Sequence, residues 1–137
     1  MFAEANAPPG HSSAEIAHEW WRRLSAFDFV GAGELLAPDV VVEWPVSNER
    51  FRGRETVVAI NEAYPGRWRA TIVQSVAAGD RCVVEANVTD GQETDVAVSF
   101  FTIHNGLIQT LREFWPEPYP APAWRKRWAD VEEESTR

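Results

Sequence analysis

Two acids in this chain are set where carboxyl chemistry could be tuned. Glu113 and Glu85 each interrupt an alternation of apolar and aromatic residues, in VAVSFFTIHNGLIQTLREFW (96–115) and RCVVEANVT (81–89). A carboxylate among apolar side chains is poorly solvated, and two in one cleft repel each other. Both effects raise at least one pKa toward neutrality, where a carboxyl can give and take protons, so the pair is the expected general acid and base. The competing reading is structural. Each acid could pair with an arginine such as Arg69, or accept bonds from Trp indole N–H groups, since an unpaired buried charge is costly. Asn87 could orient a substrate carbonyl or a water. Trp20, Trp44 and Trp115 bring large rings with one donor each, suited to the walls of a cavity for a flat or cyclic ligand and equally to plain core packing. Tyr64, at the end of an expected helix, is placed to close the mouth of such a cavity.

Whether these groups meet depends on strand register. Asn105-Gly106 signals a two-residue type I′ hairpin, because both turn positions need positive φ. Counting outward pairs His104 with Leu107, Thr102 with Gln109, Phe100 with Leu111, Val98 with Glu113 and Val96 with Trp115. Alternation then gathers Phe100, Val98, Val96, Leu111 and Trp115 on one face around Glu113. Asp90-Gly91, taken as a second two-residue loop, sets Glu85 opposite Val96 and Asn87 opposite Thr94, which adds both to that face. A one-residue slip would send every side chain to the other side of the sheet.

The elements that must hold these strands are legible in order. Ser12 and Glu15 have capping-box spacing, and Ile16, Ala17, Trp20, Trp21, Leu24 and Phe27 recur at helical intervals, which predicts a helix over Ser13 to Ala26. Asp28 can cap a second, short helix ending near Ala37, with Pro38 as the stop. Val40, Val41 and Val42 begin a strand that ends around Trp44-Pro45, Asn48 to Gly53 is a polar connection, and Glu55 to Tyr64 is a third helix ended by Pro65-Gly66. Strands are then expected over Arg67 to Val76, Arg81 to Thr89, Glu93 to His104 and Leu107 to Trp115. Three helices followed by an antiparallel meander make one α+β domain, with the helices on one side of a curved sheet. Its core spans about residues 13–117, between an arm at 1–11 and a tail at 118–137.

Thirteen basic against twenty-one acidic residues give a net charge of −8, which opposes binding to nucleic acid or to an anionic membrane. The single Cys82 excludes an internal disulfide and fits a small buried position. The three histidines lack metal-site spacing, so no metal and no other cofactor is expected. No apolar run approaches the ~18 residues of a membrane span, and the amino terminus lacks a basic region followed by an apolar one. A soluble, cytoplasmic protein is therefore expected. Cys82, Val84, Ala86 and Val88 alternate with the also apolar Val83, so the sheet is apolar on both sides while helices can cover only one. The other side is expected to bury itself in a homodimer.

The order of elements, with the strings DVVVEWPV (39–46) and IQTLREFWPE (108–117), resembles the SnoaL-like branch of the nuclear transport factor 2-like superfamily over about residues 13–117. That resemblance implies a cone in which a curved antiparallel or mixed sheet wraps three N-terminal helices around an internal pocket, often in a dimer. Activities in the superfamily include steroid isomerase, polyketide cyclase, dehydratase and epoxide hydrolase, alongside proteins that only bind. The steroid isomerase pattern VEDPV is similar to Val42-Glu43-Trp44-Pro45-Val46, with Trp44 standing where the catalytic Asp would be. The same comparison sets Trp20 at the oxyanion-hole Tyr and Val98 at the protonated Asp, so that mechanism is not retained. It also implies pocket-lining positions at Glu85, Asn87, Glu113 and Trp115. The expected function is a cofactor-free acid–base enzyme of isomerase, cyclase or dehydratase type acting on a cyclic apolar substrate. The alternatives are a non-catalytic ligand-binding or dimerisation module, and an epoxide hydrolase-like enzyme with Arg69 between two acids.

Overall fold

A computed structural model describes residues 11–130. Most of the expected amino-terminal arm, and the acidic segment 131–137, lie outside the described residues. Helix α1 (Ser13–Ser25) starts at the expected capping box: Glu15 N donates to Ser12 Oγ at 3.1 Å and Ser12 N donates to Glu15 Oε1 at 2.8 Å. Its apolar stripe buries Ile16, Ala17, Trp20 and Trp21. Phe27 then takes a left-handed φ of 61° and turns the chain into α2 (Phe29–Gly33), whose Asp28 cap accepts from Gly31 N at 2.9 Å. This helix stops at Gly33, short of the expected Ala37, because Leu36 already pairs with Ile108 as the start of β1 (Leu36–Trp44). The polar stretch expected to be a connection contains a strand, β2 (Glu49–Arg52), antiparallel to β1. Charged residues suit this edge, where an apolar strand would invite pairing with another chain. Helix α3 (Arg54–Ala63) follows.

The meander is β3 (Arg69–Ala78), β4 (Arg81–Thr89), β5 (Thr94–His104) and β6 (Leu107–Phe114). The six strands lie in the order β2-β1-β6-β5-β4-β3, all neighbours antiparallel except β1 and β6. This is the α+β arrangement of a sheet wrapped around its helices. The core lies between the helices and the inner face of the sheet, where Val84, Cys82, Phe101, Ile108 and Leu111 are fully buried. Burial pushes the Cys82 thiol pKa up, as fits an inert packing residue.

Register departs from the simple hairpin count at two places. His104 pairs with Leu107 as expected, but a bulge at Gln109 sets Thr102 opposite Thr110, Phe101 opposite Leu111 and Ser99 opposite Glu113. Ile108 and Leu111 are three apart and both fully buried, and only an extra residue between them lets both face inward. The bulge therefore turns Phe100, Val98 and Val96 away from Glu113. At the other hairpin, Asp90 Oδ1 accepts from Gln92 N and from Glu93 N, both at 2.9 Å. This Asx-type turn lengthens the loop to four residues and pairs Thr89 with Thr94 and Glu85 with Val98. That shift is even, so Glu85 and Asn87 stay with Val96, Val98 and Phe100 on the outer face.

The outer face carries a lateral row Val76, Val83, Phe100 and, beside it, Gln74, Glu85, Val98, Phe114. Phe100 and Phe114 meet edge to face at 6.0 Å between ring centroids. After β6 a 3₁₀ helix (Ala123–Trp128) forms where a last helical turn was expected, with Trp124 and Trp128 both exposed. Among the described residues, no helix is long and apolar enough to cross a membrane.

Candidate active site: a buried carboxyl in an aromatic cavity

Between α1, the carboxyl ends of β1 and β6, and the start of β3 lies a cavity walled by Trp20, Trp21, Trp44, Trp68 and Trp115 with Phe27, Phe29 and Tyr64. Glu113 and Asp95 are the carboxyl groups among its lining residues, and Asn61 of α3 joins them. Parallel pairing of β1 with β6 sets Glu43 against Arg112, so the next residues along, Trp44 and Glu113, become inward neighbours. Antiparallel pairing with β5 sets Ser99 on the other side. Trp44 Nε1 donates to Glu113 Oε1 and Ser99 Oγ donates to Glu113 Oε2, each at 3.1 Å.

Glu113 is only 5% exposed and forms no ion pair among the described residues. Desolvation raises its pKa from 4.5 to about 7, against the opposing pull of the Trp44, Ser99 and Trp115 groups. The hydrogen bonds to the ionised form are thus outweighed by the loss of water. At neutral pH the carboxyl exists in both protonation states, which is what a proton carrier needs. The indole reading of Glu113 and the acid–base reading are therefore compatible: Trp44 orients the carboxyl, while burial sets its proton affinity.

The other expected catalytic acid is elsewhere. Glu85 accepts from Gln74 Nε2 at 2.6 Å on the outer face, with the whole sheet between it and Glu113. Asn87, Val98 and Phe100 share that face, and Phe100 is 41% exposed. None of the four lines the cavity, because the bulge at Gln109 reversed the side on which β6 presents Glu113 relative to β5. Val98, the position given to the protonated Asp by resemblance, likewise points away. Arg69 meets no acid among the described residues; its guanidinium lies over the Phe27 ring, 5.1 Å from the centroid.

Trp20, Trp44, Tyr64 and Trp115 do line the cavity with Glu113. Trp44 packs edge to face on Phe51 and Tyr64 at 4.7 and 6.3 Å, and Trp21 on Trp115 at 6.4 Å. Trp21, Phe27, Phe29, Trp68, Asp95 and Ser99 were not expected in the site. The aromatic density of WW and FDF after a capping box was a usable signal for the first three. Ser99 could have been found only by placing the bulge. Two donors remain: Trp20 Nε1 and Trp21 Nε1 are buried with no hydrogen-bond partner among the described residues.

Trp68 is held by Gly66. The Trp68 indole donates to Pro65 O at 2.8 Å, and a Cβ on Gly66, whose φ is 96°, would meet Trp68 Nε1 at 2.7 Å. Gly66→Ala is expected to cost more than about 1 kcal/mol from the left-handed backbone alone. It should also displace the ring from the cavity wall. Denaturant unfolding and quenching of tryptophan fluorescence by an apolar ligand check the two effects; an unchanged midpoint would refute the strain.

The chain matches the SnoaL-like domain family over residues 17–111. No match was found among proteins of curated function. A solved structure from Kribbella flavida, assigned provisionally as a ketosteroid isomerase, shares 31% identity with a TM-score of 0.84, covering 90% of this chain and 92% of that one. An NTF-2 like protein of unknown function from Burkholderia xenovorans shares 22% identity with a TM-score of 0.75, covering 88% and 95%. An LEH-like epoxide hydrolase from M. tuberculosis shares 20% identity with a TM-score of 0.66, covering 76% and 82%, a likeness of fold. With a family match over most of its length, this chain belongs to the SnoaL-like domain family.

Proposed function

We propose that this protein is a cofactor-free acid–base enzyme, of isomerase, cyclase or dehydratase type, in which Glu113 alone carries the proton. The single observation behind this reading is a carboxyl with its pKa near 7 in the wall of an aromatic cavity. An acid kept for structure gains from a cation partner; this one has only neutral donors and bears the desolvation cost. The rings suit a flat cyclic substrate. The epoxide hydrolase reading loses support, because it needs an arginine between two acids, and Arg69 lies on the Phe27 ring and meets no carboxylate among the described residues. A binding module without turnover is separated by one experiment: exchange of the α-hydrogens of a cyclic ketone, 2-tetralone, for deuterium, compared between wild type and Glu113→Gln. Exchange lost in the variant supports the enzyme, and equal exchange removes it.

Association follows from the outer face. Val76 is 70% exposed and Phe100 41%, beside the half-buried Val83, Val96, Val98 and Phe114. An apolar ladder of this kind on a sheet without a helical cover favours a second copy of the same chain. A dimer mass is expected by light scattering at micromolar concentration, and Phe100→Glu should return a monomer. A monomeric wild type would refute the dimer.

A further inference from the structure

We propose that the ligand of this cavity carries an anionic group, a carboxylate in the simplest case, that projects from the mouth onto Arg67 and Arg69. The inference rests on the pocket reading above and adds to it the chemistry of one end of the ligand.

Both guanidiniums lie on a single ring. The Arg67 guanidinium carbon is 3.8 Å and that of Arg69 5.1 Å from the centroid of Phe27. Phe27 lines the cavity, as do Gly66, Trp68 and Ala70, which alternate with the two arginines along the chain. By alternation Arg69 belongs to the outer side of β3, but β3 is an edge strand, so the side chain can pass round the open edge to the ring. Phe27 itself holds a φ of 61°, a conformation uncommon outside glycine, which fixes its ring at this corner.

Two like charges on one ring repel each other. Among the described residues, four arginines of this acidic chain meet a carboxylate: Arg22 and Arg23 meet Glu19, and Arg50 and Arg112 meet Glu43. Arg67 and Arg69 meet no carboxylate among the described residues, although acids outnumber bases 21 to 13. A cation–π contact consumes no N–H hydrogen bond, so the guanidinium donors keep the planar fork that a carboxylate accepts. The interior is closed to such a group. Asp95 lies beside Val88, itself beside Ala70, and together with Glu113 it makes the cavity proper repel an anion. The ligand therefore enters ring first, with its charged end left at the arginine rim.

Calorimetric binding of 2-naphthoate and its neutral isostere 2-naphthamide tests this, in the wild type and in Arg67→Gln/Arg69→Gln, with Arg52→Gln as a control on the outer face. Naphthoate should bind about ten-fold or more tightly than naphthamide, as one charge-assisted contact gives. The double variant should lose that preference while its naphthamide affinity stays unchanged, and Arg52→Gln should behave as wild type. Equal binding of the two probes by the wild type, or a naphthoate preference that survives the double variant, overturns the anionic group alone and leaves the pocket standing. Absence of binding by both probes overturns the pocket reading and this inference with it.

Discussion

Glu113→Gln should lower the rate of 2-tetralone hydrogen exchange by about 10²–10⁴-fold, the usual contribution of a positioned proton carrier. Glutamine keeps the volume and can still accept from Trp44 Nε1 and donate to Ser99 Oγ, so the cavity walls stay where they are. What disappears is a group able to exchange a proton near neutrality. The wild-type pH profile carries the role. A general base acts as the carboxylate, so exchange should rise with pH and level off above a midpoint near 7. A rate that instead falls through that midpoint would identify the protonated acid as the working form. A profile with no inflection between pH 5 and 8, or equal rates in the two proteins, would exclude Glu113 from the chemistry.

The second large effect is on stability, and its sign is the reverse of the usual carboxylate. The pKa of Glu113 is raised from 4.5 to about 7 in the folded chain. Below pH 4.5 the group is neutral in both states and carries no penalty. As pH rises from 4.5 to about 7, the unfolded chain releases this proton while the native chain retains it, so the native state binds more protons and stability falls. Above about 7 the penalty is complete, about 3 kcal/mol at 1.36 kcal/mol per pKa unit. Glu113→Gln removes it. Urea unfolding should give near-equal stabilities at pH 4, and a variant more stable by up to about 3 kcal/mol at pH 8.5. Every other titrating group is common to the two proteins, so the difference isolates this carboxyl. A variant destabilised equally at both pH values would mean that Glu113 is held for its hydrogen bonds. Taken together, the two results describe an acid that lowers stability where it is ionised and is retained for what it does.

Several features of the protein follow from local chemistry in the sequence. The capping box of Ser12 and Glu15, the apolar stripe of α1 and the Asn105-Gly106 turn are each determined by residues within a few positions of one another, and each formed as expected. The α+β class and the four strands of the meander were legible on the same grounds. Glu113, Trp20, Trp44, Tyr64 and Trp115 do line one cavity, but the hairpin count that put Glu113 there used a register that the structure does not keep. Tertiary structure decided which face of the sheet each strand end serves. The spacing of Ile108 and Leu111 held the cue, but both residues are buried only because helices cover one side, and that burial forces the bulge at Gln109. One extra residue sent Glu85, Asn87, Val98 and Phe100 across the sheet from Glu113, since side chains alternate with a period of two and parity is lost at a single insertion. The parallel pairing of β1 with β6 was equally out of local reach. It joins Trp44 to Glu113 across 69 positions of sequence. A contact so distant is chosen by the packing of the whole sheet, and it is this contact, with Ser99 on the other side, that orients the carboxyl.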